Sequence, residues 1–195
     1  MKVSKTKVAE HRAALMAAAK RLLQERGFDR AGVVDISREA GLTQGALYGQ
    51  FKSKDELAAE ACRKAFADGS AAWSKLRDGA PDILAAYLDA YLSEAHVQDV
   101  GSGCILAACT SDVRRHDDAV GAVFAEGFRA MVEMVEQALP KETPPETARR
   151  RALTIASAMI GSVAMARAME KTDPSLAKEI IAAAREELEH LANRR

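Results

Sequence analysis

Apolar residues recur every three or four positions along most of this chain. The clearest run lies between residues 120 and 139 and consists of Val120, Phe124, Phe128, Met131, Val135 and Leu139. This spacing gives an α-helix one apolar face, which it can bury against other helices. No stretch alternates between apolar and polar residues at the spacing of a β-strand. The pattern therefore predicts an all-α protein.

The periodicity and the capping residues together predict about nine helices. Ser53 followed by Glu56 is a capping box, and Asp173 before Pro174 can cap the last helix. The expected ranges are 4–26, 33–40, 44–50, 54–77, 81–97, 103–114, 117–139, 145–170 and 174–192.

Length and composition are those of an ordinary globular protein. The chain has 195 residues, of which 48% are hydrophobic, and this suffices for one large core or two small ones. No uninterrupted apolar run approaches the roughly 18 residues of a membrane span, and the N-terminus does not resemble a signal peptide, so a cytoplasmic location is expected. Cys62, Cys104 and Cys109 are too irregularly spaced for a disulfide framework, so reduced thiols are expected.

The charge is unevenly distributed, although the net charge is zero. Residues 1–64 carry 13 Lys and Arg against 8 Asp and Glu, and the remainder carries 15 against 20. The first third therefore has a net charge of +5, and the rest has −5. A basic segment ahead of an acidic body favours a first part that binds a polyanion such as DNA.

Residues 33–51 have the pattern of a helix-turn-helix. Residues 33–40 suffice for two helical turns, Gly41 can adopt the left-handed conformation that ends a helix, and Thr43 can cap a second short helix. Two such short helices need a third against which to bury their apolar faces. The residues expected to pack there are Val34, Ile36, Ala40, Leu42, Leu47 and Phe51, against Leu15, Ala19, Leu22 and Phe28.

The second short helix carries side chains that suit the major groove of DNA. Gln can pair with adenine, Ala can contact the thymine methyl group, and Tyr and Lys can bind phosphates. The residues predicted to contact DNA are Gln44, Ala46, Tyr48, Gln50, Lys52 and Lys54. Four further cations could add sequence-independent attraction, as an arm in the groove or as part of a solvated tail: Lys2, Lys5, Lys7 and Arg12.

The segment from residue 11 to residue 66 resembles the DNA-binding domain of TetR/AcrR-type transcriptional regulators. The resemblance lies in "ERGF" at the end of the first helix, "DISREAG" in the second, and "GALYGQFKSKDEL" from the third into the fourth. It implies a homodimeric repressor that binds a palindromic operator in double-stranded DNA and responds to a small-molecule effector. Residues 1–52 would form the DNA-binding domain, and residues 53–195 the ligand-binding and dimerisation domain.

The resemblance also assigns roles to single residues. Phosphate contacts fall on Tyr48 and Lys54, and base contacts fall on Gln44, Ala46 and Gln50. Gly49 stands where an aromatic residue or His is common, and Gly32 stands where a Ser or Thr often caps the second helix. Both changes remove a side chain, which predicts base readout through fewer groups.

Aromatic and sulfur-containing side chains beyond residue 66 fall on helices that enclose an effector pocket in the family. The resemblance therefore places a pocket among Trp73, Tyr87, Tyr91, Cys104, Phe124, Phe128 and Met131. The alternative is that most of these side chains belong to the core, because core packing produces the same helical spacing.

The last two helices are predicted to form a dimer interface. The helix over residues 145–170 is apolar on more than one face and rich in small residues, so it needs a partner. As in the family, two helices from each chain would form a four-helix interface through Ile160, Gly161, Ala164, Ile180, Ala184 and Leu188. A bundle within one chain is the alternative.

Cys104 begins a predicted helix, where the helix dipole favours a thiolate. Some TetR-type regulators have a similar start to this helix, and a few sense electrophiles or oxidants through it. The alternative is a small buried hydrophobic side chain. An enzyme using Cys104 with His96 or His116 is not expected, because no orienting acid stands at a recognisable spacing. No cofactor or metal is expected, and a helical adaptor that binds another protein is disfavoured by the basic first third.

Overall fold

The computed structural model describes residues 5–194, which form ten α-helices, one short 3-10 helix and no strand. This confirms the all-α fold class. The α-helices are α1 (Lys5–Arg30), α2 (Val33–Glu39), α3 (Gln44–Tyr48), α4 (Lys54–Arg77), α5 (Ile83–Tyr91), α6 (Glu94–Gln98), α7 (Ile105–Cys109), α8 (Asp118–Ala138), α9 (Pro145–Met169) and α10 (Pro174–Asn193). The 3-10 helix spans Val113–Arg115. Lys2, one of the predicted cations, lies outside the described residues.

The first three helices form a head in which α2 and α3 pack on α1. Gly27 breaks α1 near its end with a φ of 76°, and Gly41 ends α2 with a φ of 66°, both in the left-handed region. The Thr43 hydroxyl accepts a hydrogen bond from the Ala46 N–H at 3.2 Å, as expected for a helix cap. Ile36 and Leu47 are buried against α1.

One predicted core residue of the head is exposed. Val34 has 54% of its surface exposed, because the buried stripe of α2 runs through Ile36 and Ser37 instead. Val33 is half-buried and packs against the core in its place. The prediction for Val34 was therefore wrong by one position around the helix.

The fourth helix joins the head to the body without a break. Ser53 caps its first turn by accepting from the Glu56 N–H at 3.0 Å. Its first half buries Leu57, Ala58 and Cys62, and its second half carries Trp73 into the body. Because α4 packs against both α1 and α8, it is a continuous mechanical link between the two parts of the fold.

Two helices predicted in the body are shorter than expected. The range 81–97 is broken at Leu92, because Ser93 caps a new helix by accepting from the His96 N–H at 3.2 Å. The range 103–114 contains only α7 followed by the 3-10 helix. Cys104 lies just before α7, in an extended conformation.

Helices α9 and α10 pack against each other as a hairpin at the end of the chain. Among residues 5–194, α9 is the one helix that is long and apolar enough to cross a membrane, judged by length and composition alone. This helix does not contain an uninterrupted apolar run, because polar and small residues such as Ser157 and Gly161 interrupt its apolar sequence. The search for such a run in the sequence therefore did not identify it. A helix that packs in a protein core passes the same test, and α9 packs on α8 as well as α10.

Candidate functional site

The outer surface of α3 is exposed. Gln44 is exposed, and Tyr48 has 54% of its surface exposed. Ala46 and Gln50 are half-buried, and Leu47 alone anchors the helix in the core. A helix held by one buried side chain presents most of its surface to an approaching partner, such as the major groove of a DNA duplex.

Arg12 supports this surface from behind. Its guanidinium donates to the Gln50 carbonyl at 2.8 Å, pairs with Glu60 at 2.5 Å and lies 4.2 Å from the centre of the Phe51 ring. These contacts tie α1 and α4 to the end of α3. The sequence suggested Arg12 only as a source of general attraction, because nothing in the local pattern reveals a partner 38 or 48 residues away.

The two lysines that follow α3 differ in their surroundings. Lys52 is exposed. The Lys54 ammonium donates to the Phe28 carbonyl at 2.5 Å, so in this structure it joins the start of α4 to the end of α1. Its contact with a DNA phosphate stays a prediction and would require this side chain to turn outward.

A cavity of about 470 Å³ lies in the body between α4, α5, α7 and α8. That volume is in the range of sites for drug-sized ligands. Five of the seven predicted pocket residues line it: Trp73, Tyr87, Tyr91, Cys104 and Met131. The Trp73 and Tyr87 rings meet edge to face with their centres 4.5 Å apart, which gives the cavity an aromatic wall.

His96 holds the turn before α7 at one end of the cavity. Its Nδ1 lies 2.6 Å from the Tyr91 carbonyl oxygen, and its Nε2 accepts from the Cys104 N–H at 3.0 Å. Nδ1 therefore carries the proton and the ring is neutral. Burial lowers the pKa of His96, which favours that state further. No local pattern predicts a role for His96, since its partners become visible only when the α5–α6 break is known.

Burial also holds both cavity tyrosines in their neutral form. It raises the pKa of Tyr87 and that of Tyr91 well above the ordinary value, and the nearby Cys104 thiol adds to both shifts. Because they stay protonated at physiological pH, both phenols are available as hydrogen-bond donors.

The three cysteines differ sharply in accessibility. Cys62 and Cys109 are buried, whereas Cys104 is half-buried and lines the cavity. Burial raises the pKa of Cys62 to about 12 and raises that of Cys109 further. The Cys109 thiol also donates to the Leu23 carbonyl at 3.2 Å.

We expect one thiol per chain to react quickly with Ellman's reagent in the folded protein, because two of the three are buried and protonated. All three should react after unfolding in guanidinium chloride. Cys104→Ser should remove the fast phase and leave the total reduced by one. Fast reaction of Cys62 or Cys109 in the folded protein would contradict the buried positions described above.

Phe124 and Phe128, the other two predicted pocket residues, do not line this cavity. They border a second cleft of about 480 Å³ between α7, α8 and α9, together with Ile160 and Gly161. Leu106 of α7 lines both this cleft and the main cavity. The Phe124 ring also contacts the Phe28 and Phe66 rings, with 5.8 Å between centres in each pair, so it belongs to the core between α1, α4 and α8. A part for Phe124 and Phe128 in effector binding stays a prediction.

The loop after α7 contacts the junction between head and body, where the end of α1 meets the start of α4. The Asp112 carboxylate accepts from the Phe28 N–H at 3.1 Å, directly after the break at Gly27. The His116 ring packs 4.7 Å from the Phe28 ring, and its Nδ1 lies 3.1 Å from a carboxylate oxygen of Asp55 in the first turn of α4. No local pattern predicts this junction, because its partners lie 61 to 84 residues apart.

Replacing Asp112 with Ala is expected to lower the free energy of unfolding by about 1–3 kcal/mol, because it leaves the Phe28 N–H buried without an acceptor. Asp112→Asn, which keeps one oxygen acceptor, should lose less. Urea unfolding followed by circular dichroism measures both values. Equal losses for Ala and Asn would mean that the charge, and not the Phe28 hydrogen bond, is what stabilises the junction.

The outer face of α9 exposes small residues and two large apolar ones, Leu153 and Met165. Ser157 and Gly161 are exposed along it, and Met165 has 53% of its surface exposed. Of the predicted interface residues, Gly161 is exposed, Leu188 is buried within its own chain, and Ile160, Ala164, Ile180 and Ala184 are half-buried. Their part in a dimer stays a prediction.

A three-helix head with an exposed third helix, joined by one continuous helix to a body with an internal cavity, is the architecture of a helix-turn-helix regulator. Comparison with known families agrees. Residues 15–61 match the model described as bacterial regulatory proteins of the tetR family. Residues 80–177, about half of the chain, match the model described as the C-terminal domain of LmrA/YxaF-like transcriptional regulators. The chain belongs to the TetR family of transcriptional regulators.

Solved structures of the family share this fold along nearly the whole chain. A regulator from Legionella pneumophila is 18% identical with a TM-score of 0.80, over 99% of this chain and 100% of that one. NemR of E. coli in its reduced form is 19% identical with a TM-score of 0.77, over 92% and 95%. A regulator from Chloroflexus aurantiacus is 24% identical with a TM-score of 0.72, over 96% and 97%. No curated protein matches the chain significantly.

Proposed function

We propose that this protein is a cytoplasmic homodimeric repressor that binds a palindromic operator and leaves it when a small-molecule effector occupies the cavity. Residues 1–52 would bind DNA, and residues 53–195 would bind the effector and the second chain. Membership of the TetR family supports regulation of transcription through DNA. The effector, the dimer and the direction of the response are the parts that this proposal adds.

The observation that carries the proposal is that one helix, α4, belongs to both sites. Its first turn lies against the end of α1 through the bond from Lys54 to the Phe28 carbonyl. Its far half brings Trp73 to the cavity wall. A ligand that displaces Trp73 would therefore tilt the helix on which the head sits, and would change the spacing between the two heads of a dimer.

A second connection runs through α7. Leu106 lines the cavity, Cys109 is bonded to the Leu23 carbonyl of α1, and the loop that follows carries Asp112 and His116 to the junction. The start of α4 is therefore connected to the cavity in two ways: along α4 itself, and through α7 and the loop that follows it. Two rigid connections favour concerted movement of the head over local loosening.

The test is a selection of genomic DNA fragments retained by the purified protein, followed by affinity measurements at several salt concentrations. We expect a palindromic site whose affinity falls steeply with salt, because phosphate contacts release counterions. Compounds are then screened for release of that site. If an effector tightens DNA binding, the mechanism is corepression or activation and not release from the operator. If no fragment is enriched with or without compounds, the proposed function as a DNA-binding regulator is contradicted.

A second candidate is a repressor that senses electrophiles or oxidants through Cys104. It is favoured by the position of Cys104 as the half-buried thiol on the cavity wall, with two buried thiols elsewhere. In this case, treatment with N-ethylmaleimide would release operator DNA from the wild-type protein but not from Cys104→Ser. Release from both proteins, or from neither, would rule out Cys104 as the sensor.

A further inference from the structure

Arg167 of α9 carries a charge that no carboxylate neutralises within hydrogen-bond distance in the described part of the chain. Its Nε and Nη2 donate to the carbonyls of Val97 and His96 at 3.2 and 2.8 Å. Nη1 is buried and has no hydrogen-bond partner. By contrast, Arg149 pairs with Glu136 and Arg185 pairs with Asp89. The two carbonyls fix the Arg167 guanidinium in place, and Asp99 and Glu170 act on its charge from a distance, but Nη1 is left without an acceptor.

Tyr91 presents a second unpartnered donor next to this guanidinium. Its side chain lines the cavity, is 7% exposed, and has a hydroxyl without a satisfactory hydrogen-bond partner. Its electrostatic neighbours are Cys104, Tyr87 and Arg167, and the Cys104 sulfur is at most a weak acceptor for its hydroxyl. A buried donor without an acceptor is unfavourable, so two such donors beside a cavity favour a ligand that supplies acceptors.

Arg167 does not itself line the cavity, but its guanidinium lies close behind Gly103, which does. Gly103 lines the cavity, and a Cβ added there would overlap Nη2 of Arg167 and lie 3.0 Å from Nε2 of His96. No side chain can therefore stand between a ligand and the guanidinium at this position. The turn with Gly101 and Gly103 can adjust at little conformational cost because both residues are glycines.

The other charged side chains of the cavity wall are already satisfied. Lys20 and Asp68 pair with each other at 2.7 Å. Asp99 is exposed and accepts from the Ser102 N–H at 3.1 Å. His96 is neutral because its Nε2 acts as an acceptor. The Tyr91 hydroxyl and Arg167 Nη1 therefore remain as buried donors near the cavity that lack a good acceptor.

We propose that the cavity takes an aromatic carboxylate, with its ring against Trp73 and Tyr87 and its carboxylate accepting from the Tyr91 hydroxyl and Arg167 Nη1. This rests on the proposed role of the cavity as the effector site. The aromatic wall selects a flat ring. An anion would supply the acceptors that both donors lack. Its entry would push the Gly101–Gly103 turn, which leads directly into α7 and from there to the head.

Isothermal titration calorimetry with two probes of the same shape tests the proposal: 4-biphenylcarboxylate and 4-biphenylcarboxamide. We expect the carboxylate to bind wild-type protein at least about tenfold more tightly, because a charge-assisted hydrogen bond is stronger than a neutral one. Arg167→Met should bring the ratio of the two affinities to within about threefold of one. Tyr91→Phe, which removes one oxygen, should weaken carboxylate binding about fivefold or more.

Arg149→Met is the matched control on the same helix, and it should keep the wild-type ratio because Arg149 faces Glu136 and not the cavity. Arg167→Lys, which keeps the charge, should retain part of the preference if Arg167→Met proves unstable. Equal affinity for the two probes in wild-type protein, no binding of either, or an unchanged ratio in Arg167→Met would overturn the proposal. Retention of genomic DNA without any compound is measured in parallel. Intact DNA binding then shows that only the ligand class has failed, and lost DNA binding shows that the regulator itself has failed.

Discussion

A protein in which Gln44, Tyr48 and Lys52 are all replaced by Ala is expected to bind its selected operator at least about a hundredfold more weakly than wild-type protein. The three side chains are exposed on or just after α3, so their loss removes proposed base and phosphate contacts without opening the core. Each change counts twice in a symmetric dimer. Fluorescence anisotropy with a labelled operator measures the loss.

The single variants separate the two kinds of contact. Lys52→Ala should lower the slope of log affinity against log salt by about two, one phosphate for each head, with little change in sequence preference. Gln44→Ala should leave that slope unchanged and relax the preference at one base pair of each half-site.

Lys75→Ala is the control for these variants, because Lys75 is exposed in the last turn of the same helix that follows Lys52. It should bind the operator as wild-type protein does. If the triple variant keeps its helical content and binds the operator with full affinity, α3 is not the helix that contacts DNA. The DNA-binding surface of this chain would then have to lie elsewhere.

Phe28→Ala is expected to lower the free energy of unfolding by about 3–5 kcal/mol, the range for removing a fully buried aromatic ring. Phe28 is completely buried where three segments meet. Its ring packs against His116 at 4.7 Å and Phe124 at 5.8 Å, and its N–H donates to Asp112. For a chain of this length the melting temperature should fall by about 10 °C.

Differential scanning calorimetry at one fixed protein concentration measures this change, since dimerisation makes melting depend on concentration. Val34→Ala in the same head is the control and should change stability by no more than about 0.5 kcal/mol, because Val34 is more than half exposed. A similar loss of unfolding free energy for both variants would mean that the burial of Phe28 at the junction does not explain its effect.

The head could be predicted from sequence almost residue by residue, because its signals are local. Gly41 and Thr43 mark the turn within three residues, and the structure gives both the expected conformation. Ile36 and Leu47 could be assigned to the core from helical spacing. Val34 could not be excluded from it, because an α2 of seven residues is too short for the apolar stripe to fix one face.

The body could be predicted only in outline. Helical spacing identified Phe124 and Trp73 equally well as apolar positions, but the direction in which each faces depends on how α4, α8 and α9 cross. Arg12, Asp112 and Arg167 act through partners that are distant in sequence, so no local pattern distinguishes them from ordinary surface charges. The break at Leu92 is the one miss with a readable signal, since Ser93 is a good helix cap.

Leu106 lies between the main cavity and the cleft beside α9, and it lines both of them. A side chain in this position cannot move without enlarging one of the two and shrinking the other. If the second chain sits on the α9 face, as proposed, effector occupancy and subunit association become one linked equilibrium. Effector affinity measured on dilute protein would then differ from that measured on concentrated protein, so the cellular abundance of the regulator would itself tune its sensitivity.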